Sequence, residues 1–248
     1  MTATIEPEVT ADASATPALD IRDLVCGYDR TKVLRGVSLQ VAPKSVVALV
    51  GPNGAGKTTL IKALSGLLPV TSGSISLFGE EITRMAPEAR AQRSLCVVPE
   101  GRGIYRSLTV KENLTLQSGK GRTAEAIERA TAAFPRLGER LAQQAGTLSG
   151  GEQQMLSLAS AYVREPRLVA IDEASLGLAP VIVDEVFQFI DQVRHEGTAM
   201  LIIDQFVHRV LDIASTVHVL SRGSVEFSGT PAEFLEGDLF ERYLGGGA

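Results

Sequence analysis

Ser45-Val46-Val47-Ala48-Leu49-Val50 runs directly into Gly51-Pro52-Asn53-Gly54-Ala55-Gly56-Lys57-Thr58-Thr59, and this stretch decides the fold. Its first six residues form a β-branched apolar run that predicts a buried strand. The next nine fit G-x-x-x-x-G-K-[ST], a loop that cradles a triphosphate when a strand precedes it and a helix follows. The helix is expected over Lys57 to Leu68, where Leu60, Leu64, Leu67 and Leu68 recur at helical spacing before Pro69 stops them. Gly51, Gly54 and Gly56 allow backbone N–H groups to turn inward where a side chain would block close approach. The dipole of the following helix adds positive potential at the same point. Lys57 is expected to reach the β- and γ-phosphates and Thr58 to offer its hydroxyl to Mg²⁺. Pro52, Asn53, Ala55 and Thr59 complete the phosphate-binding loop.

Upstream and downstream, the pattern is that of an α/β protein with a helical interruption. Leu19 to Leu77 reads as short strands separated by Gly27, Gly36, Pro43 and Gly73. From about Val110 to Arg164 the β-branched runs disappear, and Lys111 to Gln117, Thr123 to Phe134 and Glu152 to Val163 are expected to be helices. After Pro166, Leu168-Val169-Ala170-Ile171 reads as a buried strand ending in Asp172-Glu173. Val183, Val186, Phe187, Ile190 and Val193 mark an amphipathic helix capped by Gly197. Met200 to Asp204 and Val217 to Ser221 are further strands.

Two more polar clusters bear on chemistry. An acid just beyond a buried strand is held at its rim, near a metal. Asp172 is therefore expected to hold Mg²⁺, in part through water, and Glu173 to act as general base on the attacking water. Ser149, Gly150 and Gly151 stand just ahead of a predicted helix with Glu152 in its first turn, a second anion-binding device. One triphosphate rarely needs two such devices on one chain.

At 248 residues the chain has room for one large domain, with 44% hydrophobic and 21% charged residues. No apolar stretch approaches the roughly 20 residues that span a bilayer. A net charge of −5 argues against nucleic acid as the main partner. Cys26 and Cys96 are too few and too far apart for a disulfide framework or a metal site, and are expected to be reduced and buried. Met1 to Pro17 is rich in Ala, Thr and Pro, carries Glu6, Glu8 and Asp12, and is expected to be a disordered tail.

The phosphate loop, the Leu148-Ser149-Gly150-Gly151-Glu152-Gln153-Gln154 segment and the strand ending Asp172-Glu173, in that order, resemble the nucleotide-binding subunit of an ABC transporter along nearly the whole chain from Leu19. The resemblance implies an α/β P-loop NTPase fold, with an ABC ATPase core, an antiparallel β subdomain and an inserted α-helical subdomain. The corresponding domain covers 19–248 after a tail over 1–18, with the core at 19–99 and 165–248 and the helical part at about 100–164. It further implies that Ser149 to Glu152 closes on ATP held by a second subunit, in head-to-tail contact. Tyr28 occupies the position that stacks on adenine, and Ser175-Leu176-Gly177-Leu178 that of the loop touching the opposite site.

Three positions depart from the commonest pattern of that family. Ala174 stands where proline is usual. Glu100, after the strand ending Val97-Val98, takes the place of a glutamine that senses Mg²⁺ and the permease. Gln205, after Asp204, takes the place of a histidine that contacts the γ-phosphate. Glutamine can donate a hydrogen bond there but carries no proton at neutral pH, and His208, about one helical turn on, is not expected to replace it. The runs VPEGRGIYRSLTVKENL (98–114), LSGGEQQML (148–156), SLGLAP (175–180) and RYLGG (242–246) are similar to those of the second ATPase of bacterial branched-chain amino-acid importers. That resemblance implies a cytoplasmic subunit, peripheral on the inner face of the cell membrane, that binds ATP and Mg²⁺. Its implied partners are two permease chains docked beside Glu100 to Arg106, a second, distinct ATPase subunit rather than a second copy, and indirectly a solute-binding protein. Importers of urea and short amides are close alternatives. A soluble ABC ATPase is the alternative outside transport, though such proteins usually carry two cassettes or a long coiled coil, and this chain has one cassette and no heptad run.

Overall fold

The computed structural model describes residues 16–29, 31–101, 103–236 and 239–244. Two sheets share one helix between them. The first is antiparallel, in the order β2-β1-β4-β5, from β1 (Leu19–Tyr28), β2 (Thr31–Val41), β4 (Val70–Leu77) and β5 (Glu80–Glu81). The second has six strands in the order β10-β9-β3-β8-β7-β6. It contains β3 (Val46–Val50), β6 (Leu95–Val98), β7 (Leu168–Asp172), β8 (Ala199–Ile203), β9 (Thr216–Ser221) and β10 (Ser224–Gly229). All are parallel except β10, which turns back on β9.

Helix α1 (Lys57–Ser65) follows β3 through the phosphate loop and lies between the sheets. Strand alternation makes this possible, because successive residues of β3 face opposite sides. Val47 and Leu49 join Leu60, Ile61 and Leu64 of α1 and Leu24, Leu34 and Ile75 of the antiparallel sheet in one core. Val46, Ala48 and Val50 face the other core, with α3 (Val110–Gln117), α4 (Thr123–Ala133), α6 (Gly150–Tyr162) and α7 (Pro180–His195). The shorter helices are α2 (Pro87–Ala91), α5 (Pro135–Gly138), α8 (Val207–Leu211), α9 (Pro231–Leu235) and α10 (Leu239–Leu244).

The structure corrects several expected boundaries. Gly66 ends α1 in a left-handed conformation at φ 82°, three residues before Pro69, and Leu67 is left 71% exposed. Gly27, Gly36 and Gly73 do not separate strands; they lie inside β1, β2 and β4, where β1 shifts register against its neighbours. A Cβ on Gly73 would come within 2.4 Å of Asp23 O, so the glycine admits a bulge rather than a turn. Helix α6 begins at Gly150, before Glu152. Of the expected tail, 1–15 lies outside the described residues, whereas Ala18 is fully buried and donates its N–H to Val41 O at 2.8 Å. Arg102 and the last glycines of the RYLGG run also lie outside the described residues. Cys26 and Cys96 are both free and buried.

Candidate nucleotide site

Four adjacent parallel strands, β3, β8, β7 and β6, deliver the predicted polar residues at their carboxyl ends. The phosphate loop follows β3, Gln205 comes two residues after β8, Asp172 closes β7, and Glu100 comes two residues after β6. This edge is where an open α/β sheet binds its ligand. The turn out of β3 requires glycine at Gly51, whose φ is 150° and whose Cβ would come within 2.0 Å of Leu220 O. Lys57 reaches back across the loop and donates to Gly51 O at 2.7 Å and Pro52 O at 3.2 Å. Burial lowers the pKa of its ammonium, while the charges of Glu173 and Asp172 offset part of that shift.

Asp172 is 2% exposed and accepts a hydrogen bond from the Thr58 hydroxyl. Burial pushes its pKa up to about 6; Thr58 and Lys57 oppose the shift, and the charges of Glu173 and Glu100 add to it. Its Oδ1 is buried with no hydrogen-bond partner among the described residues. An orphaned carboxylate oxygen among further acids and a hydroxyl is a donor set that fits a hard divalent cation such as Mg²⁺. Glu173 sits at φ 52°, a left-handed conformation unusual for a side chain of its size, and its N–H donates to Ile203 O at 2.8 Å.

Lys57, Glu173 and Gln205 line one cleft of 1370 Å³ together with Gly51 to Ala55, His208 and Arg222. His208 stacks on Phe240 at 4.8 Å, so it contributes to the cleft wall. Tyr28 does not line this cleft; it is 42% exposed at the end of β1, with Lys62 Nζ 5.5 Å from its ring centre. Ser149, Gly150 and Gly151 do not line it either. They form the cap and first turn of α6, where Ser149 and Glu152 make a reciprocal capping box. Gly151 has a packing reason to be glycine, since a Cβ there would come within 2.8 Å of Ile182.

A family model described as ABC transporter matches residues 34–176, more than half of the 248-residue chain. The chain belongs to the ABC transporter family. Like other ABC proteins of this type, it binds nucleotide, is an ATP hydrolase and works with transmembrane permeases. The branched-chain amino acid transport ATP-binding protein BraG of Pseudomonas aeruginosa is 39% identical over 223 residues, 88% of this chain and 96% of BraG. The probable branched-chain amino acid transport ATP-binding protein LivF of Archaeoglobus fulgidus is 37% identical over 223 residues, 88% of this chain and 94% of LivF. The lipopolysaccharide export system ATP-binding protein LptB of Haemophilus influenzae is 33% identical over 238 residues, 92% of this chain and 97% of LptB. Among solved structures, the ATP-binding subunit of an ABC transporter superposes with a TM-score of 0.79 at 29% identity, covering 92% of this chain and 96% of its own.

Within this ABC cassette, the structure adds residues that the motifs do not reveal. Asp204 is buried at the end of β8 and accepts from Ser175 N at 3.1 Å, from the Ser175 hydroxyl, and from Phe206 N at 3.0 Å. It ties the loop after Glu173 to the segment carrying Gln205. Arg90 in α2 is 2% exposed and grips the carboxyl end of α1, donating to Ala63 O and Leu64 O at 2.7 Å each. No motif marks either residue, because the contacts that tie them to α1 and to Ser175 reach 26 to 29 positions along the sequence.

Proposed function

We propose that this chain is the ATP-hydrolysing subunit of an importer for branched-chain amino acids. The observation that carries the reading is the BraG likeness at 39% identity across 96% of that protein. The juxtaposition of Lys57, Asp172 and Glu173 supports an active cassette. An ATPase for lipopolysaccharide export is the second reading, favoured by LptB at the lower identity of 33%.

In this proposal Lys57 exchanges the Gly51 and Pro52 carbonyls for the β- and γ-phosphate oxygens, and the Gly54 to Thr59 amides wrap the same groups. Thr58, Asp172 and Glu100 would hold Mg²⁺. The ion, when bound, neutralises charge on the β- and γ-phosphates. Glu173 takes a proton from the attacking water, and Gln205 donates a hydrogen bond toward the γ-phosphate. Tyr28 stacks on adenine, and Ser149, Gly150 and Gly151 close on the nucleotide of a second ATPase subunit. A distinct partner subunit, permease chains docked near Glu100 to Arg106, a solute-binding protein acting through them, and a place on the inner face of the cell membrane belong to the same reading.

Purification of the tagged chain from native membranes in mild detergent, with its companions identified by mass spectrometry, tests it. Two permease chains, a second ATPase and a gene-linked amino-acid-binding protein are expected. Lipopolysaccharide-transport subunits would favour the second reading, and ribosomes or soluble partners alone would sink both.

A further inference from the structure

The first turn of α6 contains a contradiction in charge. Ser149 and the amides of Gly150 and Gly151 offer donors and the positive end of a helix to an anion. Glu152 places a carboxylate in the same turn, with its Oε2 2.8 Å from the Ser149 hydroxyl and 2.9 Å from Ser149 N. A phosphate approaching Ser149 would meet that negative charge at close range. The carboxylate's other oxygen is paired by charge with Arg140, whose Nε lies 2.6 Å from Glu152 Oε1 but is not aligned for a hydrogen bond. Glu152 is nearly buried, with 10% of its side chain exposed, while Arg140 is 41% exposed. A second cation, Arg136, also acts on Glu152. It is itself shared with Glu185 of α7 at 3.1 Å, leaving Arg140 as the direct counter-charge.

We propose that Arg140 is a positioning residue for the reaction: by neutralising Glu152 it keeps the Ser149 to Gly151 turn attractive to the γ-phosphate of the partner's ATP. This rests on the reading that this turn closes on nucleotide across the subunit interface. Arg140 need not touch ATP. It acts through Glu152, and it is required only because this position is Glu rather than the neutral isostere Gln. A glutamine oxygen could accept the same Ser149 N–H that Glu152 Oε2 accepts, so Glu152→Gln keeps the cap while removing the charge.

The test compares Arg140→Gln, Glu152→Gln and the double variant in the full chain, purified with the subunits that accompany it. The readouts are the ATP concentration for half-maximal turnover, and ATP affinity of the chain alone through its own phosphate loop. Arg140→Gln leaves the Glu152 charge uncompensated beside the incoming phosphate and is expected to raise the half-maximal ATP concentration by about tenfold. The affinity of the chain alone stays unchanged, and Glu152→Gln restores the double variant to within about twofold of the parent. Melting temperature separates a folding defect, which Glu152→Gln would not rescue in turnover. The inference is overturned if Arg140→Gln leaves the half-maximal concentration unmoved, or if the double variant stays impaired. Gly150→Asp, a carboxylate placed in the turn itself, keeps the underlying reading separate. If it has no effect, the reading that this turn closes on the partner's nucleotide fails, and the role of Arg140 with it; if it impairs while Arg140→Gln does not, only the role of Arg140 fails.

Discussion

Arg90 offers the sharpest test of what holds the nucleotide loop in place. Its guanidinium donates to four carbonyls: Ala63 O and Leu64 O at 2.7 Å, Thr83 O at 2.8 Å and Met85 O at 2.9 Å. No acidic partner among the described residues balances it, and burial lowers its pKa, yet arginine remains charged. Two of the acceptors belong to the last turn of α1, where the dipole favours a cation; Ala63 O also accepts from Gly66 N at 3.2 Å and would keep that bond. Arg90→Met keeps the apolar stem and deletes all four bonds. Each charge-assisted bond is worth about 1.5–3 kcal/mol net, and each buried acceptor left unsatisfied costs about 1–3 kcal/mol. Recovered guanidinium desolvation and water entering the vacated space offset part of the sum. The net loss should be about 3–5 kcal/mol once those offsets are taken from the cost of the unsatisfied acceptors. For a chain of this length that lowers the melting point by about 6–20 °C. Calorimetry and urea melts of the purified chain read it directly. Arg90→Lys should recover less than half, because one ammonium cannot reach acceptors on α1 and on the Thr83–Met85 segment together. A loss below about 1 kcal/mol for Arg90→Met would show that the four carbonyls find water or one another, and the capping argument would be wrong.

Lys57→Ala should abolish tight ATP binding while the fold survives; micromolar affinity in equilibrium titration would mean that Lys57 is not the phosphate ligand. Glu173→Gln should keep ATP binding and stop turnover, and unchanged turnover would remove Glu173 as base. Because Glu173 holds φ 52°, Glu173→Gly should also stop turnover yet raise stability by about 1 kcal/mol through release of left-handed strain; a lower melting point would contradict that. For Asp172 the folded pKa of about 6 lies above the ordinary 3.8, so the folded state holds the proton more tightly. Its contribution is present below about pH 4 and is lost as pH rises through 6. Asp172→Asn should therefore gain roughly 1–2 kcal/mol relative to the parent at pH 8 in metal-free buffer, with no gain at pH 4, and should lose the Mg²⁺ enhancement of ATP binding. Melts that show the same difference at both pH values would refute the burial argument.

What the sequence revealed and what it hid divide along one physical line. The phosphate loop and the strand ending Asp172-Glu173 were legible because their chemistry is local: a strand, a turn whose glycines are needed for backbone approach, and a side chain at a fixed offset. Glu100 and Gln205 were legible by position, since each follows a β strand whose end lies on the same sheet edge as that loop. Arg90, Asp204 and Arg140 were not, because their roles exist only after α2, β8 and the turn after α5 are packed against distant backbone or charge. Asp204 shows why this matters for function. It looks like a strand terminus in sequence, yet its carboxylate holds Ser175 N, the Ser175 hydroxyl and Phe206 N at once. Gln205 lies between two anchored residues, and Glu173 stands two positions before Ser175. Any movement of the loop after β7 must therefore be felt at the segment after β8, because Asp204 cannot keep both sets of bonds while they separate. The residues that motifs assign to chemistry are thus held in register by a buried carboxylate that no motif names.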